Sequence, residues 1–235
     1  MTTTSSIESP TGQRQEEWKK YSRYSCEVDP EQNDRATQIQ FCSCSRPQMR
    51  AFHCSFWGFF FGCFIWFAIN PLLPEIRNSL DLETSVIWTS SVFCVAGTLF
   101  MRLFLGPMCD KFGPRALFAV VLCCASIPTA CIGMLETGTG LVIVRFFIGF
   151  AGGVFVLCQG WTNAMFAEQT SGTAISIVAG WGNLASGLTQ LVVGSALFPL
   201  FKTFFDGDAE KAWRTVTVVP AAIAIAGGIT IFFVS

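Results

Sequence analysis

From residue 54 onward the chain is a succession of long apolar runs separated by short polar stretches, and before residue 54 it is not. Six runs stand out, at residues 54–73, 87–108, 116–135, 141–162, 174–201 and 216–235. Each is about the 20 residues that a helix needs to cross the hydrocarbon core of a bilayer. None shows the period-two alternation of a membrane barrel strand; residues 92–105, for instance, are apolar except for Thr98 and Arg102. A spanning segment must satisfy its own backbone polar groups, so the pattern predicts six transmembrane helices and an all-α integral membrane fold. Pro71, Pro128, Pro199 and Pro220 fall inside these runs, which membrane helices tolerate better than soluble ones.

Composition supports the pattern. Hydrophobic residues make up 51% of the chain and charged residues 13%, about half the charge of a soluble domain. Nearly half of the charged side chains lie before Cys54, in a segment rich in Ser, Thr, Gln and Glu. The expected organisation is therefore a disordered tail over residues 1–53 and a six-helix bundle over residues 54–235. No apolar stretch follows Met1, so the tail does not read as a secretory signal.

Basic residues near helix ends set orientation. Arg35, Arg46 and Arg50 precede the first run with no acid after Asp34, and Lys111 and Arg115 follow the second run against Asp110 alone. The loop after the first run holds Glu75, Asp81 and Glu83 against Arg77. The tail and the second loop are thus expected on the cytoplasmic side.

Cysteine and histidine exclude most other chemistry. Most of the 11 cysteines lie in or beside apolar runs, where Cys behaves as a small buried hydrophobe. Cys42, Cys44, His53 and Cys54 fit no standard zinc spacing, so no metal is expected; S-acylation of Cys42 or Cys44 is the better reading of the pair. With one histidine in the chain a Ser/His/Asp or Cys/His enzyme has no basis. Neither a cofactor nor nucleic acid is expected.

Two ionisable side chains fall well inside the runs, Arg102 in the second and Arg145 in the fourth, with no acid or His inside any run to neutralise them. A charge at that depth costs at least a few kcal/mol and faces a protein interior or a polar path. The guanidinium is planar, permanently charged and forked, which suits a small planar oxyanion. Arg102 shares a helical stripe with Thr98 and Gly106. Two readings of it stand side by side: anion binding, or snorkelling over roughly 9 Å to the helix end near Met108. Arg145 lies nearer its helix end, where bonding to neighbouring helices is the simpler role.

The second loop reads G-P-M-C-D-K-F-G-P-R at 106–115. It matches the G-x-x-x-D-(R/K)-x-G-x-(R/K) signature of the major facilitator superfamily at Gly106, Asp110, Lys111, Gly113 and Arg115. In physical terms Gly106 permits a close helix approach, Gly113 a tight turn, and Asp110 a latch to a helix end or a neighbouring Arg. Arg145, in V-R-F-F-I-G-F-A-G-G, takes the place of the superfamily's fourth-helix arginine. The core A-G-W-G-N at 179–183 resembles the fifth-helix signature of the nitrate/nitrite porter family, and R-A-F-H-C-S-F-W-G-F-F-F at 50–61 resembles the first helix of its eukaryotic members. The resemblance covers roughly residues 46–190.

It implies one six-helix half of a two-half transporter in the plasma membrane, carrying nitrate and nitrite by alternating access. Arg102 falls on the family's second-helix binding arginine, Phe155 on the aromatic that packs against the anion, and Asn183 on the signature Asn, with Gly180 and Gly182 giving backbone access. Leu184, Ala185 and Ser186 depart from the family, which has Gly soon after the Asn. The second half, or a second copy of this one, is expected as partner. The last run ends at Ser235 without a polar terminus, and the expectation is a chain cut short. Proton symport and nitrate/nitrite exchange both stay open; likeness to eukaryotic members favours symport. Transport of another small anion, and a regulatory half that does not transport, are the remaining alternatives. Gly172, Gly180, Gly187 and Gly194 recur at seven or eight residues and predict a close-contact face on the fifth helix.

Overall fold

A computed structural model describes residues 26–44 and 47–234. Six helices long and apolar enough to span a membrane follow in chain order: α1 Gln48–Ser79, α2 Thr84–Phe112, α3 Pro114–Met134, α4 Gly138–Met165, α5 Glu168–Phe204 and α6 Ala209–Val234. All six expected spans are present. All six begin earlier than the apolar runs, by the widest margins at α1, α5 and α6, because helices continue into polar surroundings wherever their first N–H groups find acceptors. Thr137 caps α4 by accepting from Gly140 N, and Asp208 caps α6 by accepting from Lys211 N at 3.1 Å. Bonding to Lys211 holds the Asp208 carboxyl below its ordinary range.

The turn between α2 and α3 is a single residue. Gly113 has φ +78°, a conformation that a side chain disfavours, and Pro114 then opens α3 with its φ already helical. Four spans are interrupted. α1 tightens to a 3₁₀ turn at Asn70–Leu72 around Pro71, α4 does so over Gly149–Gly153, α5 widens to a π segment at Gln190–Leu197, and α6 breaks at Thr217 ahead of Pro220. Such interruptions free backbone carbonyls that a regular helix would use.

The most extensive packing joins α3 to α6, α1 to α5 and α2 to α4, with α1 also against α4. That set is what two three-helix units, α1–α3 and α4–α6, give when related by a two-fold in the membrane plane: α1–α5 and α4–α2 are equivalent contacts. One apolar cluster, including Phe52, Phe118, Leu105, Val154 and Phe166, fills most of the bundle. A second, around Ile76, Ile132, Leu141 and Trp213, fills the end remote from the α2–α3 turn. α2 and α5 bury 22% and 17% of their spanning windows, against 44% or more in the other four. They therefore present the largest uncovered faces, with Leu99, Leu103 and Leu191 among the exposed side chains.

Of the expected tail, residues 1–25, 45 and 46 lie outside the described residues. Within residues 26–44, β1 Val28–Asp29 pairs antiparallel with β2 Arg35–Ala36 in the register Val28↔Ala36. Ala36 also bridges Phe166, and Thr170 Oγ1 donates to Thr37 O at 2.7 Å, so this segment packs under the α4–α5 turn. Burial pushes the Cys26 thiol above its ordinary pKa.

Candidate functional site

The seam between α2 and α4 is built from glycine. A side chain at Gly97 would strike the Phe146 carbonyl, one at Gly149 the Cys94 carbonyl, and a Cβ at Gly152 would lie 2.6 Å from Thr98 Cγ2. With no side chains between them the two backbones touch. Thr98 uses the proximity: its hydroxyl donates to Gly149 O at 2.7 Å and accepts from Trp66 Nε1 of α1 at 3.0 Å.

One turn further along α2, Arg102 reaches the same 3₁₀ segment. Its Nε donates to Gly152 O at 3.4 Å, and its Cζ stands 5.2 Å from the centroid of the Phe155 ring. Arg102 is exposed on the uncovered side of the half. Ion pairs among the described residues are Lys211–Asp208 and Arg214–Glu210, so no carboxylate there neutralises Arg102 or Arg145. The structure thus joins two of the four expected ligand residues, Arg102 and Phe155.

Phe59 of α1 links them to α5. Its ring lies 5.3 Å from that of Phe155, and it fills the space where Gly182 has no side chain. Asn183 follows Gly182, is exposed, and its side-chain amide makes no hydrogen bond among the described residues. Gly180 has nothing within 4 Å of its Cβ position. Phe59 and Gly182 thus connect the α5 segment that carries Gly180 and Asn183 to the Arg102–Phe155 pair. The expected close-contact face of α5 is corrected in the same way: Gly172, Gly180 and Gly187 meet open space, while Gly194 packs on Pro71 and the tight contact is at Gly182. The seven-residue glycine spacing marked a face that this half leaves bare.

Arg145 is 2% exposed. Its NH1 donates to Ser91 Oγ at 3.1 Å and its NH2 to Asn70 Oδ1 at 3.0 Å, so one cation ties α4 to α2 and to the α1 break. In the loop motif Gly113 makes the expected turn, but Gly106 has no neighbour within 4 Å and Asp110 forms no ion pair among the described residues. The expected close approach at Gly106 is not made within this half. Within this half Arg115 ties α3 to the last turn of α6: its Nε donates to Phe232 O at 2.7 Å and its Cζ lies 5.1 Å from the Phe232 ring centroid. Lys111 lies over Phe112. No group of three or more His, Cys, Asp or Glu is placed to hold a metal among the described residues.

Sequence reasoning missed Asn70, Phe59 and Gly152. Gly152 was legible as part of the Gly-rich G-F-A-G-G stretch, which breaks helical regularity; Asn70 was legible as an amide before a proline in an apolar run.

Comparison with known proteins agrees with this architecture. The family model described as Major Facilitator Superfamily matches residues 55–235. High affinity nitrate transporter 2.5 of Arabidopsis thaliana is 37% identical over 199 residues, covering 84% of this chain and 39% of that protein. Nitrate transporter 2.2 of Chlamydomonas reinhardtii is 35% identical over 184 residues, 77% of this chain and 35% of that protein. Nitrate/nitrite transporter NrtP of Nostoc punctiforme is 29% identical over 184 residues, 78% of this chain and 35% of that protein. The chain spans less than half the length of these relatives. It is a multi-pass membrane protein and not an enzyme. By the family match and these relatives, the chain belongs to the Major Facilitator Superfamily, in the branch of the nitrate/nitrite porters.

Proposed function

We propose that this chain supplies one half of a nitrate and nitrite transporter that works by alternating access and proton symport, with the second half, or a second copy, closing over the face that bears Arg102. The observation that carries the reading is the Arg102–Phe155 pair: a guanidinium over a ring, with one long bond to a backbone carbonyl and no carboxylate partner among the described residues. A cation so placed has no counter-charge among the described residues, and a planar oxyanion supplies one through paired N–H donors. Phe155 offers the anion a flat apolar wall, Asn183 an amide donor, and Gly180 open access to backbone. The names of the relatives favour nitrate among small anions. Arg115 and Gly113 then hold the α2–α3 end as a rigid corner on which the halves rock, with Asp110 free to engage the other half; that end faces the cytoplasm of a plasma-membrane protein.

The test is uptake into proteoliposomes by this chain joined to a matching second half. Nitrate entry accelerated by an inward proton gradient is expected. Preference for formate or sulfate over nitrate would overturn the substrate, and uptake indifferent to the gradient would overturn symport.

A further inference from the structure

A groove of about 610 Å³ lies between α1 and α6, at the end where α1 begins and α6 finishes. It shares no residue with the Arg102 site and carries an inference that does not depend on the transport reading. Its walls are Trp57 and Phe61 of α1 and Ile223, Gly227 and Ile231 of α6, stripes at four-residue spacing that face one another. Gly227 shapes it: any side chain there would strike the Phe61 ring, so Phe61 lies directly on the α6 backbone. Along these walls the lining is almost wholly apolar, yet its mouth holds Arg50 and His53. His53 Nε2 donates to the Ser43 carbonyl at 3.1 Å, which fixes the ring. Arg115, near the same end, is engaged by Phe232, whereas the Arg50 side chain makes no hydrogen bond or ion pair among the described residues.

We propose that this groove seats one acyl chain of an anionic glycerophospholipid, with its phosphate on Arg50 beside His53. An apolar slot that opens at a cation with no ion-pair partner among the described residues is complementary to a hydrocarbon tail under a negative head, and the adjoining leaflet supplies that molecule. From Arg50 to Phe61 the α1 wall is about 16 Å long, enough for most of an acyl chain. A zwitterionic lipid presents the same tail, but its own cation offsets the phosphate, so Arg50 discriminates by net charge. With this end in the cytoplasm, the slot faces the leaflet in which anionic lipids concentrate.

Native mass spectrometry of the chain released from nanodiscs tests this, using phosphatidylglycerol and phosphatidylcholine with identical acyl chains at equal mole fraction. Bound phosphatidylglycerol should exceed phosphatidylcholine about fivefold, the effect of one interfacial cation. Arg50→Gln should remove the preference, Arg50→Lys should keep it, and Ala226→Trp, which fills the slot, should shed both lipids while circular dichroism reports intact helices. Equal binding of the two lipids by the parent, or an unchanged preference in Arg50→Gln, overturns the headgroup site. Undiminished lipid in Ala226→Trp overturns the groove, as would a hydroxylamine-labile acyl adduct on Cys44 occupying it.

Discussion

The guanidinium of Arg102 stands over the ring of Phe155, Cζ to centroid 5.2 Å, while its Nε reaches Gly152 O at 3.4 Å. Both contacts are weak: an exposed cation–π pair is worth about 0.5–1 kcal/mol, and a 3.4 Å separation is at the long limit of a hydrogen bond. Together they orient the fork without consuming its terminal NH groups. The 3₁₀ turn at Gly149–Gly153 makes the arrangement possible, because it brings Gly152 O to the helix surface one turn before Phe155.

Arg145, by contrast, is buried and donates from both terminal NH groups, so its bonds should be structural. Replacing Asn70 with Ala removes one charge-assisted bond to a buried cation, expected to cost about 1.5–3 kcal/mol. Thermal unfolding of the detergent-solubilised protein should show a lowered midpoint for Asn70→Ala and a larger drop for Arg145→Ala. An unaltered midpoint in both would mean that the α1–α2–α4 tie contributes nothing.

The six spans, the Gly113 turn and the cations within the membrane were all legible in the sequence, because length, apolarity and charge at depth are properties of single segments. What lay out of reach was which element faces which. The glycines at 172, 180 and 187 were visible as a stripe, but a stripe does not say whether its partner is in the same half. Gly182, off that stripe, became the contact because Phe59 points at it. Arg115 was legible as a basic motif position; its carbonyl partner, Phe232, is 117 residues away and carries no sequence signal.

That distinction yields a paired prediction on α5. A side chain at Gly182 must displace the Phe59 ring, and overpacking of this kind costs about 1–3 kcal/mol or more. Gly182→Leu should therefore lower the unfolding midpoint of this chain, whereas Gly180→Leu, in open space, should leave it unchanged and impair only nitrate uptake by the two-half transporter. Equal destabilisation by both substitutions would refute the assigned packing.

Orientation is tested by labelling single introduced cysteines in intact cells after removal of reactive native ones. A site beside Asp81 should react with an impermeant maleimide, and one beside Lys111 should stay protected until the cells are permeabilised. The reverse pattern would invert the topology.

The central claim, that Arg102 grips the anion, is tested most directly by the nitrate affinity of Arg102→Lys in this chain joined to a matching second half. Lysine keeps the charge and the reach but lacks the planar fork. Loss of a charge-assisted contact at a desolvated site is worth roughly 2–5 kcal/mol, so affinity should fall by about 30-fold or more, with membrane expression and unfolding midpoint close to those of the parent. Affinity within a factor of about two of the parent would contradict the account and leave Arg102 as a snorkelling cation.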